Sequence, residues 1–263
     1  MRAAALLYQA RLSLAMAVLM TLAGCATVDP EYRDPRDPFE SFNRAMYRFN
    51  DGLDRAIVKP LARGYAAITP EPVDRGITNF FSNLDDISSA LNNFLQLKFN
   101  RAFSDVGRLL VNTTVGLLGF LDVASNMNLP KHDEDFGQTL GAWGMPSGPF
   151  IVLPIFGPSS GRDAVGVVVD WYTDPLTYLN DGTVAWGLKG LRLVDRRAGL
   201  LGASRVLEQA ALDPYVFVRD AYLQKRRNDV FDGNPPPEEF FDEYPEEVPE
   251  QEPEEEPDVA PTF

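Results

Sequence analysis

Apolar residues recur at spacings of three and four in the first part of the chain. Phe39, Phe42, Met46, Phe49, Leu53 and Ile57 trace one stripe on a helix, while Arg44, Arg48, Asp51 and Arg55 lie elsewhere around it. Pro60 is expected to end this helix. The stripe suits the protein core or acyl chains, and the periodicity leaves both open. A second helix is expected to open at Pro70-Glu71-Pro72 and run toward Phe81, since proline is tolerated in a first turn. Asp85 or Asp86 then caps a third, with Ile87, Leu91, Phe94 and Leu95 on one side, and a fourth starts near Phe99 with Phe103, Val106 and Leu110. Residues 109–121 read LLVNTTVGLLGFL, uncharged and including Leu117, Leu118 and Phe120. Thirteen residues span about 20 Å as a helix, less than the roughly 30 Å of a bilayer core. The segment therefore enters one leaflet or forms a buried core helix.

The texture changes over residues 130–161, where eleven of 32 positions are Gly or Pro, among them Gly137, Gly141, Gly144 and Gly148. Tight turns and short extended pieces are expected there rather than a long helix. Helical patterning returns over 162–169, 183–194 and 196–212. The last helix has the clearest start: Asp213 as cap, Pro214 in the first turn, and Tyr215, Val218 and Tyr222 on one side. Lys225, Arg226 and Arg227 fall at its end, where cations suit the helix dipole.

Charge separates the body from its tail. The 263 residues carry 24 Lys and Arg against 38 Asp and Glu, a net charge of −14, and residues 228–263 hold fourteen of the acids and no base. The rest balances, which offers no electrostatic footprint for a nucleic acid. Residues 234–263 are rich in Pro and Glu, and disorder is expected because they cannot bury enough apolar surface to offset ordering entropy. The tail reads as a solvated spacer, with Phe240, Phe241 and Tyr244 as its only contact candidates.

The N-terminus reads as an address and an anchor. Arg2 and Arg11 flank an apolar stretch that is too short to span a membrane and closes with Leu22-Ala23-Gly24-Cys25. These four residues resemble the bacterial lipobox, which implies a signal peptide over 1–24, acylation of Cys25 and a lipidated spacer over 25–37. Ala26 is not the Asp that retains many enteric lipoproteins in the inner membrane, so outer-membrane sorting is expected.

Catalytic signals are weak. Gly157-Pro158-Ser159-Ser160-Gly161 fits the G-x-S-x-G nucleophile elbow of lipid hydrolases, but His132, the only His, precedes Ser159, whereas in that fold the His follows. The motif reads as a turn. Lys131-His132-Asp133-Glu134-Asp135 reads as a solvated loop, because adjacent acids do not converge on one metal ion. No P-loop or G-x-G-x-x-G is present. No catalytic residue, metal site or cofactor is expected, and the chain reads as a non-enzyme.

Several segments, in order, carry a resemblance. Asp37-Pro38-Phe39-Glu40-Ser41-Phe42-Asn43-Arg44, Asn79-Phe80-Phe81-Ser82-Asn83-Leu84, Asn92-Asn93-Phe94-Leu95-Gln96, Asn112-Thr113-Thr114-Val115-Gly116, Gly119-Phe120-Leu121-Asp122, Phe136-Gly137-Gln138-Thr139-Leu140-Gly141 and Gly148-Pro149-Phe150-Ile151-Val152 resemble the VacJ/MlaA family of outer-membrane lipoproteins. The similarity covers a helical domain over 38–233 and leaves out the tail. It implies a mainly α fold: a ring-like bundle of amphipathic helices with a central channel, partly embedded in one membrane leaflet. It also implies removal of mislocalised phospholipids from the outer leaflet and their passage to a soluble periplasmic carrier, with a porin trimer as partner. On that basis Phe39, Phe42, Met46, Phe49, Leu117, Leu118 and Phe120 are expected to face lipid, and Gly137, Gly141, Gly144 and Gly148 to form a mobile channel wall. Two rivals stay open: a structural porin-associated lipoprotein, and a lipid hydrolase using Ser159.

Overall fold

The computed structural model describes residues 34–237. The expected leader over 1–24, Cys25 and most of the acidic tail lie outside the described residues. The described chain is mainly helical: α1 (Glu40–Leu53), a π turn (Asp54–Val58), α2 (Lys59–Ile68), α3 (Glu71–Leu95), α4 (Phe99–Thr114), α5 (Val123–Asn126), α6 (Phe136–Ala142), strands β1 (Phe150–Leu153) and β2 (Gly157–Ser160), α7 (Gly161–Thr173), a 3-10 turn (Pro175–Tyr178), α8 (Gly182–Gly199), α9 (Leu201–Ala210) and α10 (Pro214–Val230).

Pro60 does not end the first helix. The π turn widens the backbone just before it, the Lys59 amide donates to the Asp54 carbonyl, and Pro60 falls at the start of α2, where its missing N–H costs nothing. Asp85 and Asp86 do not cap a helix either: α3 runs through them for 25 residues. Despite that length, no helix among the described residues is long and apolar enough to cross a membrane. The expected Asp213 cap is present, its carboxylate accepting from the Tyr215 and Val216 amides.

β1 and β2 form an antiparallel hairpin in which Phe150 faces Ser160 and Leu153 faces Gly157. The free edge of β1 is taken up by two asparagines of α1. Asn43 donates to the Phe150 carbonyl (3.0 Å) and accepts from the Val152 amide (2.8 Å), while Asn50 donates to the Leu153 carbonyl (2.9 Å) and accepts from the Ile155 amide (2.7 Å). The spacing explains the fit. Seven helical residues rise about 10.5 Å and three strand residues about 10 Å, so each carboxamide meets a donor and acceptor in register. Met46, on the same face of α1, packs with Phe150, Val152 and Tyr215 in the one apolar cluster of fully buried side chains among the described residues.

Elsewhere the interior is polar. α3 and α4 form an antiparallel hairpin whose seam holds Asn93 against Asp105 (2.8 Å), Arg108 against Asp86 (3.5 Å) and Asn83 against Thr113 (3.0 Å). On α4 the buried row is Ala102, Asp105, Arg108 and Asn112, and the outward row is Phe99, Phe103 and Leu110. This arrangement is reversed relative to a protein dissolved in water, where the charged row would be hydrated.

Candidate functional site

Two features stand out: an apolar exterior and a polar cleft. The exterior includes Phe103 (65 % exposed) and Leu110 on α4, Val115, Leu117, Leu118, Phe120 and Leu121 in the turn that follows and, on another part of the chain, Phe39 at the start of α1 with Phe42 and Phe49 along it. Residues 109–121 are thus not one helix. α4 stops at Thr114, and Leu117, Leu118 and Gly119 all have positive φ (54°, 61° and 91°). Left-handed backbone is strained for leucine, yet both leucine side chains are about two-thirds exposed. A Cβ at Gly119 would lie 2.6 Å from that of Asn83, so only glycine lets the turn close onto α3. Solvent-facing side chains held in a costly backbone are intelligible if the surroundings are apolar.

Of the seven residues expected to face lipid, Phe39, Phe42, Phe49, Leu117, Leu118 and Phe120 are exposed. Met46 is the correction: at 4 % exposure it belongs to the α1–hairpin core. It shares the periodicity of the phenylalanines but lies beside Asn43, on the edge of the stripe that β1 covers.

The cleft has a volume of about 880 Å³ and is lined by parts of α3, residues 133–135, α6, α7, α8 and α10. Its α8 side carries Lys189, Arg192 and Arg196, spaced three and four apart so that they share a face. Arg192 pairs with Asp85 and with Asp174 (3.3 Å), and Arg196 reaches Asp85 at 2.8 Å. The Lys189 ammonium sits 3.6 Å from the Trp171 ring centroid and donates to Thr177 (3.0 Å). Asp170 on α7 accepts from the Phe136 amide (3.1 Å); burial, with Asp135 and Asp163 nearby, pushes its carboxyl up to about 6.

Residues 131–135 are not a solvated loop. Lys131 pairs with Asp86, His132 Nδ1 lies 2.7 Å from Asp105 Oδ1, Glu134 accepts from Gln96 (2.9 Å), and Asp135 is held by Arg226 at 2.6 and 2.9 Å. Asp86 and Asp105 have no solvent exposure, and burial pushes both carboxyls above their ordinary range. Asp135 and Asp163 are driven the other way, because their Arg226 hydrogen bonds and charge outweigh burial. The run is a clip of alternating partners joining the α3–α4 hairpin to α10. Its partners lie 27 to 91 positions away, and no local pattern signals them.

Gly137 and Gly141 are packing glycines, not a mobile wall. A Cβ at Gly137 would stand 2.6 Å from Asp163 Oδ1 and 2.8 Å from Arg226 Nη2, and one at Gly141 would stand 2.8 Å from Arg162 Nη1. Close approach of α6 to the buried ion pairs requires both positions bare. Gly144 and Gly148 differ, with φ of 92° and 69° in the link to β1.

The 157–161 segment is also more ordered than a turn. Gly157–Ser160 is β2, and Ser160 caps α7 through the Asp163 amide (3.1 Å). Ser159 is buried with its hydroxyl 3.4 Å from the Ser160 carbonyl, while His132 is engaged with Asp105. The only histidine is thus committed to Asp105 rather than paired with this serine.

The chain is similar to known proteins over this same body. The "MlaA lipoprotein" family model matches residues 35–229. The intermembrane phospholipid transport system lipoprotein MlaA of Escherichia coli (strain K12) is 36 % identical over 225 residues, covering 83 % of this chain and 88 % of its own, and that of Haemophilus influenzae is 36 % identical over 220 residues, covering 81 % and 88 %. A solved structure from work on the "structural basis for maintenance of bacterial outer membrane lipid asymmetry" superposes with a TM-score of 0.65 at 35 % identity, covering 77 % of this chain and all of its own. With that match spanning the clip, the hairpin and both faces of α4, the chain belongs to the MlaA lipoprotein family.

Proposed function

We propose that this chain is an outer-membrane lipoprotein, anchored through Cys25 after removal of residues 1–24, that takes phospholipids misplaced in the outer leaflet and passes them to a soluble periplasmic carrier. Lipid asymmetry of the outer membrane is maintained by this retrograde step, and a porin trimer is the neighbour in the membrane. The observation that carries the reading is the reversed polarity of the helices: apolar rows outward, a polar cleft within. A phospholipid has a charged head and apolar chains. A conduit must offer the head polar partners while the chains stay in an apolar phase. α4 and the 115–121 turn supply the outer contact, and the cleft supplies the inner one. Phe39, Phe42 and Phe49 extend the outer surface along α1, and Gly144 and Gly148 give the adjoining link freedom to move.

The relatives' names, which describe intermembrane phospholipid transport, support this reading. The test is the amount of phospholipid in the outer leaflet of cells with and without the gene. Loss of the gene is expected to raise it, and restoration to require both Cys25 and an apolar α1. Phe42→Asp combined with Phe49→Asp is expected to fail to restore. An unchanged outer leaflet on deletion would favour a purely structural lipoprotein. Fatty-acid release abolished by Ser159→Ala would instead reveal a hydrolase.

A further inference from the structure

We infer that the cleft is built for a zwitterionic head group, with the phosphate against Lys189 and Arg196 of α8 and a primary ammonium against Asp170 of α7. The inference rests on the transport reading above and adds to it the class of lipid preferred.

Charge is unevenly distributed in the cleft. On the α8 side three cations, Lys189, Arg192 and Arg196, meet two carboxylates, Asp85 and Asp174, which leaves one positive charge in excess. Arg192 is the buried member and is tied to both acids, so it serves as the post that orients Asp85. Arg196 is largely exposed, and Lys189 is held over Trp171 by its π face rather than by a carboxylate. Those two are the cations available to a phosphodiester. Around Asp170 the balance reverses: three carboxylates, Asp135, Asp163 and Asp170, share two cations, Arg226 and Arg162, while Lys225, which also lines the cleft, is paired with Asp229 at 2.6 Å. Arg226 forks onto Asp135 and Asp163 and Arg162 lies on Asp163, which leaves Asp170 with a backbone amide as its hydrogen-bond partner. Asp133, nearly fully exposed and only loosely paired with Lys131 at 3.9 Å, belongs to the same lining. A ligand carrying separated positive and negative charges neutralises both sides; an anionic head group neutralises only one and meets Asp170 with like charge. The elevated carboxyl of Asp170 is consistent with a site that lacks its counter-charge when empty.

The experiment uses the full-length acylated protein in mixed micelles holding equal amounts of phosphatidylethanolamine and phosphatidylglycerol with the same acyl chains. Retained lipid is counted by native mass spectrometry. The wild type is expected to retain the ethanolamine lipid in about two- to fivefold excess, the scale of a partly solvated ion pair. Asp170→Asn, which keeps the acceptor for Phe136, should bring the ratio close to one without lowering total lipid. Asp133→Asn should lower it part of the way, and Lys189→Ala with Arg196→Ala should reduce retention of both lipids. Circular dichroism checks that each variant is folded. A wild-type ratio of one, or a ratio unmoved by Asp170→Asn, would overturn the head-group inference while leaving transport intact. A folded protein retaining neither lipid, together with an unchanged outer leaflet on gene deletion, would remove the transport reading as well.

Discussion

Arg226 grips Asp163 with one edge of its guanidinium: Nη2 lies 2.9 Å from one carboxylate oxygen and Nε 3.0 Å from the other. The same guanidinium holds Asp135, so one side chain of α10 ties α7 to the start of α6. Buried pairs of this kind cost heavily when one partner is removed, because an uncompensated charge remains. Arg226→Ala is expected to destabilise the fold by about 3–5 kcal/mol, measured by denaturant unfolding in detergent. Since Asp135 and Asp163 have folded pKa values below their unfolded ones, their contribution is present above about pH 4 and is lost as pH falls further. The wild type should therefore lose stability on acidification below pH 4, and the variant should show less of that loss.

Asn43 supplies a donor to Phe150 and an acceptor to Val152 from α1, and it also donates to Asp37 at 2.8 Å. Asn43→Ala leaves a buried carbonyl and a buried amide without partners. A loss of about 2–4 kcal/mol is expected. Asn43→Asp should be nearly as harmful, since it would set a second carboxylate beside Asp37. Hydrogen exchange should report the damage locally, at the Val152 amide.

Leu118 stands at φ 61° with its side chain outward. Leu118→Gly relieves left-handed strain at the cost of a more flexible unfolded chain, so the net gain should be between zero and about 1 kcal/mol. Vesicle flotation should move the opposite way. In a Cys25→Ser background, where acyl chains no longer dominate, Leu118→Gly is expected to bind vesicles more weakly than its parent. Stronger or equal binding would show that this turn does not face lipid.

Asp170 has the reverse pH signature of Asp163. Its folded pKa is raised to about 6, so it stabilises the fold most below its unfolded pKa near 4, and that contribution is lost as pH rises from 4 to 6. Asp170→Asn should match the wild type in unfolding free energy at pH 4 and exceed it at pH 7.5, by roughly 1–2 kcal/mol after allowing for partial solvent access. An equal difference at both pH values would contradict the assignment.

Much was legible along the chain. The Asp213 cap and Pro214 mark the start of α10, the Gly- and Pro-rich stretch holds only a seven-residue helix and a hairpin, and ordered motifs point to the family. Local signals misled where a residue had a distant partner. Asp86 looks like a cap because Asp competes with the backbone in isolation, yet Lys131, 45 positions on, donates to it inside a helix. Pro60 looks like a terminator because a π turn has no sequence signature that periodicity can detect.

Residue spacing alone shows that the helices are two-faced and that one stretch is too short to span a bilayer, and the ordered motifs show which family the segments resemble. Which face is inside depends on contacts between distant segments. Periodicity gives the axis of a stripe but not its direction, because an apolar row is driven from water toward either a core or a lipid phase. On α4 the charged row faces in, since Asp105 and Arg108 find His132, Asp86 and Asp122 there, and Phe103 and Leu110 are left to face out. Those partners come from other parts of the chain, and only folding brings them within reach.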